Sequence, residues 1–176
     1  TPSITTTTEL TKDNTPVIEG TAEAGSTVEL FNGAISLGTA TAGSDGSFSI
    51  ISSQLPDNSY TLTVTATDAL GNESDPSDEL AITIDTTAPS TPSITTTTEL
   101  TNNPTPTIEG TAEAGSTVEL FIGETSGGTT TAGSDGVFSI TTGELAEGDY
   151  SLTVTATDAA GNTSSASTAF ALTIDT

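Results

Sequence analysis

The sequence has no cysteine, histidine, methionine or tryptophan, and its single basic side chain is Lys12. Each absence removes a class of chemistry. Without cysteine there is no disulfide framework and no thiol nucleophile. Without histidine, Ser-His-Asp and Cys-His arrangements are closed off. Without imidazole or thiolate, Zn²⁺ and other metals that prefer nitrogen or sulfur are disfavoured. One cation stands against 24 acidic residues, a net charge of −23. Nucleic acid is excluded as a partner, because neutralising phosphate needs Lys and Arg. Anionic membrane surfaces are excluded for the same reason, and phosphoryl transfer would lack its usual Lys or Arg clamp. No apolar run is long enough to span a bilayer, and no signal peptide is present. The expectation is a fragment excised from a longer chain.

Aromatics make up 4% of the sequence and hydrophobic residues 32%. Any core must therefore be thin and built from Val, Ile, Leu and Ala, with a few Phe and Tyr. The excess like charge repels itself, so solvent cations or bound divalent ions must compensate it. Acidity with low hydrophobicity also marks disordered chains. The regular alternation of the apolar residues argues for a folded protein instead.

The chain repeats itself. Thr1-Pro2-Ser3-Ile4-Thr5 returns as Thr91-Pro92-Ser93-Ile94-Thr95, and the segment Glu19 to Ser26 returns at Glu109 to Ser116. Thr41-Ala42-Gly43-Ser44-Asp45-Gly46 returns at Thr131 to Gly136, and Thr63 to Ala69 at Thr153 to Ala159. The offset is 90 residues throughout, and about two thirds of aligned positions are identical. A 90-residue unit is a domain, too long for a solenoid repeat. The predicted domains are residues 1–86 and 87–176. Divergence concentrates at 32–37, 51–59 and 73–79, which read as loops or edge segments.

Within one unit, apolar residues alternate with Thr, Ser or Glu. Tyr60, Leu62, Val64 and Ala66 do so, as do Leu80, Ile82 and Ile84, Phe48 and Ile50, and Val28 and Leu30. Period two places such residues on one face of a strand. β-Branched Thr suits the other face. The predicted strands cover 3–8, 16–23, 27–31, 35–42, 47–52, 59–67 and 80–84. Turn chemistry separates them at Ala24-Gly25-Ser26, Ser44-Asp45-Gly46 and Leu70-Gly71-Asn72, among others. Seven short strands at this spacing predict an all-β, immunoglobulin-like two-sheet sandwich without helix. Tyr60 and Tyr150 open the sixth strand of each unit. Either is a tyrosine corner or simply a large core residue at the sheet end.

Glu-Gly-Thr-Ala-Glu-Ala-Gly-Ser-Thr-Val-Glu-Leu, Gly-Ser-Asp-Gly-x-Phe-Ser and Tyr-x-Leu-Thr-Val-Thr-Ala-Thr-Asp-Ala-x-Gly-Asn occur in both units. Together they resemble the bacterial Ig-like repeats of large surface adhesins, the biofilm-associated and type I-secreted kind. The resemblance runs along nearly the whole chain. It implies an extender stalk on the bacterial cell surface, extracellular, holding a binding domain away from the cell. It further implies Ca²⁺ between successive domains.

Antiparallel reversal would place the second, fourth and sixth inter-strand loops at the N-terminal pole of each unit. The second unit then carries Glu113, Asp158 and Asn162 there, while the first ends its last strand at Asp85, followed by Thr87. Asp85, Glu113, Asp158, Asn162 and Thr87 are the expected Ca²⁺ ligands. Ca²⁺ takes six to eight oxygens from such groups. Three carboxylates within ~5 Å repel by several kcal/mol without a cation. The first unit repeats the set as Glu23, Asp68 and Asn72, expected to be incomplete. The alternative is that Asp68 and Asp158 only cap their turns and Glu23 and Glu113 are solvated. Asp45 and Asp135 read as turn residues. Asp13, Asp57, Asp75 and Asp78 read as solvated surface charge.

Catalysis is not expected. Paired carboxylates can hydrolyse glycosides, but thin sandwiches with few aromatics offer no sugar-stacking cleft. The Thr ladder at 61, 63, 65 and 67, with the run Thr5–Thr8, raises an ice-binding surface as a remote alternative. A glycan- or protein-binding adhesin tip is another, with the variable loops at 32–37 and 56–59 as its contact residues. Near-identical tandem copies favour a stalk, whose partners would be neighbouring repeats of the same chain. A host or surface ligand would be met through other domains. Each unit would add a length on the order of 40 Å, from strands of about ten residues at ~3.3 Å each plus loops.

Overall fold

A computed structural model describes all residues, 1–176. The chain divides into two compact units, Thr1–Thr87 and Ala88–Thr176. The first unit contains β1 (Ser3–Ile4), β2 (Leu10–Thr11), β3 (Val17–Thr21), β4 (Thr27–Asn32), β5 (Ile35–Thr41), β6 (Ser47–Ile51), β7 (Asn58–Thr67) and β8 (Leu80–Ile84). Its sheets have the orders β1-β3-β6 and β2-β8-β7-β4-β5. The second unit repeats this as β9 (Ser93–Ile94), β10 (Leu100–Thr101), β11 (Thr107–Thr111), β12 (Thr117–Ile122), β13 (Thr125–Thr131), β14 (Val137–Thr141), β15 (Gly148–Thr157) and β16 (Phe170–Ile174). Its sheets are β9-β11-β14 and β10-β16-β15-β12-β13. There is no helix, and each unit is an all-β, Ig-like sandwich.

One strand differs from expectation. The first predicted strand, 3–8, is split into two pieces on different sheets. β1 pairs antiparallel with β3, and β2 pairs parallel with β8. The cause is a hydroxyl. Thr6 Oγ1 accepts the Glu19 N–H at 2.7 Å. The N–H groups of Thr5 and Thr6 both reach the Glu19 carbonyl, at 2.8 and 3.3 Å. The side chain of Thr6 takes the donor that a continuing ladder would use, so the chain leaves β3 and re-enters beside β8. Thr96 does the same to Glu109 at 2.7 Å.

The alternation read from sequence sets the core. Ile18, Val28, Leu30, Phe48, Ile50, Leu62, Val64, Ile82 and Ile84 pack into one cluster in the first unit. Ile108, Val118, Leu120, Phe138, Ile140, Leu152, Val154, Leu172 and Ile174 form its counterpart. Each such side chain, fully buried, stabilises by about 1.5–3 kcal/mol relative to exposure. The intervening residues, such as Glu19, Thr21, Ser47 and Ser49, face water.

The two tyrosines resolve the same way. Tyr60 donates its phenol hydrogen to the Pro56 carbonyl at 2.7 Å, and Tyr150 to that of Ala146 at 2.9 Å. Both are tyrosine corners that tie the start of a long strand to the loop before it.

Between β7 and β8 the chain runs back along β7. Here Ser74 and Ser77 offer hydroxyls where strand pairing would supply carbonyls. Val64 N–H donates to Ser77 Oγ and Ala66 N–H to Ser74 Oγ, both at 3.1 Å. Ser164 and Ser167 repeat this beneath Ala156 and Val154. These serines satisfy buried backbone donors that would otherwise cost free energy.

Register defines the poles of each unit. Thr21 faces both Ser3 and Ser47, and Thr27 faces both Thr41 and Thr67. The loops 22–26, 42–46 and 68–79 therefore share one end with the start of β1. Two bonds lock the first pair of loops, Ala22 N–H to Gly46 O at 2.8 Å and Gly25 N–H to Ala42 O at 3.0 Å. At the other end, Asn58 of β7 pairs with Ile84 of β8.

Candidate functional site

The N-terminal pole of each unit carries the Asp-Ala-x-Gly-Asn loop. In the first unit Asp68 Oδ1 accepts the N–H groups of Leu70 at 2.8 Å and Asn72 at 2.9 Å. Asp68 Oδ2 accepts from Asn72 Nδ2 at 2.8 Å. The loop closes on itself through Asp68 N–H to Asn72 O at 3.0 Å and Gly71 N–H to Asp68 O at 3.1 Å. This closure needs a left-handed residue, and Gly71 supplies it at φ 87°. The side-chain and backbone bonds from Asn72 hold the Asp68 carboxyl below its ordinary range, against a smaller opposing effect of burial.

In the second unit the loop is rebuilt. Asp158 Oδ1 accepts Asn162 N–H at 2.9 Å, Oδ2 accepts Asn162 Nδ2 at 2.9 Å, and Gly161 has φ 91°. Burial pushes the Asp158 carboxyl up, but the bonds from Asn162, Gly161 and Ala160 together outweigh it, so the acid is held low. Both aspartates are thus turn-closing residues, and both stay ionised.

The other acidic residues sort by position. Glu23 is exposed in the 22–26 loop, and its carbonyl receives the Ser26 hydroxyl at 2.7 Å. Glu113 and Ser116 repeat this at 2.7 Å. Glu23, Asp68 and Asn72 line a common recess of about 220 Å³, together with Thr1, Pro2, Ser26 and Glu73. Nevertheless, no three carboxylates within either unit converge tightly enough to hold a metal ion by themselves. Asp45 is a turn residue: its Oδ1 accepts Ser47 N–H at 3.0 Å and Ser47 Oγ–H at 2.8 Å. Asp135 likewise accepts Val137 N–H at 3.1 Å.

At the opposite pole of the first unit, Asp85 N–H donates to Thr11 O at 3.0 Å. Asp85 Oδ1 accepts Thr87 N–H at 3.1 Å. Beside it stands Asp57, exposed as expected of surface charge. It also has partners: its Oδ1 accepts Thr86 N–H at 3.0 Å and Thr86 Oγ1–H at 2.8 Å, and its Oδ2 accepts Thr87 Oγ1–H at 2.8 Å. The Thr86 hydroxyl, then the Thr87 hydroxyl and the Thr86 amide, hold its carboxyl below the ordinary range. The signal was topological: the loop before β7 must lie at the pole where β8 ends.

The Bacterial Ig-like domain family matches residues 3–86 and again residues 88–176. The chain belongs to the bacterial Ig-like domain family. It does so twice, in tandem. Among solved structures, the fibronectin(III)-like modules of Clostridium thermocellum CbhA superpose with a TM-score of 0.65 at 15% identity, covering 99% of this chain and 94% of that one. That likeness concerns the sandwich fold. The BSP domain of a biofilm-associated protein matches with 26% identity and a TM-score of 0.42, covering 99% of this chain but only 29% of that one. No curated protein matches.

Proposed function

We propose that the chain is a structural extender module of a bacterial cell-surface adhesin, extracellular, spacing a binding domain from the cell and supporting adhesion or biofilm formation. The observation that carries this reading is the tandem itself: two Bacterial Ig-like units whose polar loops are copied, Asp68 to Asn72 as Asp158 to Asn162. A stalk needs its terminal loops alike from unit to unit, because each must meet the same neighbour. A ligand-binding tip has no such need.

The finer part of the proposal is rigidification by Ca²⁺. Its ligands would be Asp85 and Thr87 of one unit with Glu113, Asp158 and Asn162 of the next. The donor set fits a hard cation, being oxygen throughout. Supporting this, Glu23, Asp68 and Asn72 line one recess at the first unit's pole. Asp68 and Asp158 are ionised and held in position by their own loops, so little conformational freedom is lost on binding. A single pole is too sparse, since no three carboxylates converge within a unit. The remaining oxygens must come from outside it. Extracellular modules bind Ca²⁺ with Kd of about 10⁻⁴–10⁻³ M, so the ion would be held outside the cell and lost in the cytosol.

Small-angle scattering on this chain in millimolar Ca²⁺, then in chelator, tests the reading. A narrow size distribution with Ca²⁺ that broadens on chelation, and a response abolished by Asp158→Ala, is the expected result. Identical profiles in both conditions would remove the ion from the proposal and leave a plain spacer.

A further inference from the structure

We propose that Asp57 is a metal-independent latch that fixes the path of the chain out of the first unit by holding Thr86 and Thr87. Its carboxylate receives three donors from these two residues, at 3.0, 2.8 and 2.8 Å. The remaining backbone donor, Thr87 N–H, goes to Asp85 Oδ1 at 3.1 Å. Both amides and both hydroxyls of the exit segment are therefore satisfied by side-chain carboxylates of the same unit. Bonds to an ionised acceptor are about twice as strong as neutral ones. Three on one carboxylate restrain a two-residue segment that would otherwise be free to rotate about four backbone angles.

The latch is mounted on rigid structure. Asp57 follows Pro56, whose carbonyl is gripped by the Tyr60 hydroxyl at 2.7 Å. It precedes Asn58, which is registered against Ile84 in the β7–β8 ladder. The carboxylate thus sits between the tyrosine corner and the end of the strand that the exit segment continues. The matching position of the second unit is Glu147. That carboxyl stands one methylene further from the backbone.

Amide hydrogen exchange and heteronuclear relaxation of Thr86 and Thr87, recorded on the whole chain in chelator, test the proposal. In the unaltered protein the Thr86 amide is expected to be protected and ordered without any metal. Asp57→Ala should speed its exchange by roughly tenfold or more, as loss of charge-assisted bonds implies. Protection at Ile82 and Ile84 should be unchanged. Asp57→Asn, which keeps an acceptor oxygen, should fall between the two. The double variant Thr86→Val with Thr87→Val removes the hydroxyls without touching the loop before β7. It should mobilise Thr87 even if Asp57→Ala disturbs the fold. Unchanged Thr86 exchange in Asp57→Ala, or order that arises only with Ca²⁺, would overturn the latch.

Discussion

Phe138 lies across Gly110 of the neighbouring strand, so close that a Cβ on Gly110 would come within 2.3 Å of the ring Cζ and 2.1 Å of the Ser93 carbonyl oxygen. The two are directly paired in the β11–β14 ladder. Gly20 and Phe48 repeat the arrangement, with 2.4 Å to the ring and 2.1 Å to Ser3 O. The glycine lets the ring fill the layer between the sheets while the first strand passes on its other side. Gly110→Ala must displace a backbone carbonyl or the ring. It is expected to destabilise the second unit by about 1–3 kcal/mol, the usual cost of overpacking. Chemical denaturation that gives the same midpoint for Gly110→Ala as for the parent would refute the packing argument.

The tyrosine corner gives a smaller, cleaner effect. Tyr150→Phe removes only the hydroxyl that binds the Ala146 carbonyl and leaves the ring in place. The expected loss is about 1 kcal/mol, the net worth of one hydrogen bond. It should appear in the denaturation of the second unit, with far-ultraviolet dichroism unchanged. A variant as stable as the parent would mean that water replaces the bond at no cost.

Thr142 presents the opposite case. Its hydroxyl oxygen is buried without a hydrogen-bond partner, and so is that of Ser52 at the matching position of the first unit. Each lies just past the strand that carries the buried phenylalanine, where the backbone N–H is still held by Pro106 or Pro16. An unsatisfied buried polar group costs about 1–3 kcal/mol. Thr142→Val keeps the shape and removes that cost, so a gain on the order of 1 kcal/mol is expected by thermal or chemical unfolding. Loss of stability instead would show that a bound water satisfies the hydroxyl.

Residues with a period, or with a partner a few positions away, were legible in the sequence, and residues with a distant partner were not. Leu62, Val64, Ile82 and Ile84 declared their face by alternation alone, and all are buried. The turn role of Asp45 followed from its neighbours in the chain. Thr6 did not reveal that it would end β1, because its hydroxyl acts on Glu19, thirteen residues away. The partners of Asp57 were hidden for the same reason, lying 29 and 30 residues distant. Ser74 and Ser77 sat in a segment that diverges between the units, yet both serines persist at 164 and 167 beneath the same strand. Their identity across the offset was the available signal.

Asp45 carries a prediction about pH. Its carboxylate accepts the Ser47 amide first and the Ser47 hydroxyl second, and these bonds hold its pKa below the ordinary value. A carboxyl whose pKa is lower folded than unfolded stabilises the fold above its unfolded pKa. That contribution fades as pH falls through the folded value. The second unit has Val137 where the first has Ser47, so the hydroxyl donor is absent there and only the amide bond remains. Ser47→Val should therefore raise the titration midpoint of Asp45 toward the ordinary carboxylate value of about 3.9, as followed by carboxyl carbon shifts in NMR. Asp45→Asn should remove this part of the acid sensitivity altogether. An Asp45 midpoint that does not move in Ser47→Val would show that the hydroxyl at 2.8 Å contributes nothing to holding the turn's charge.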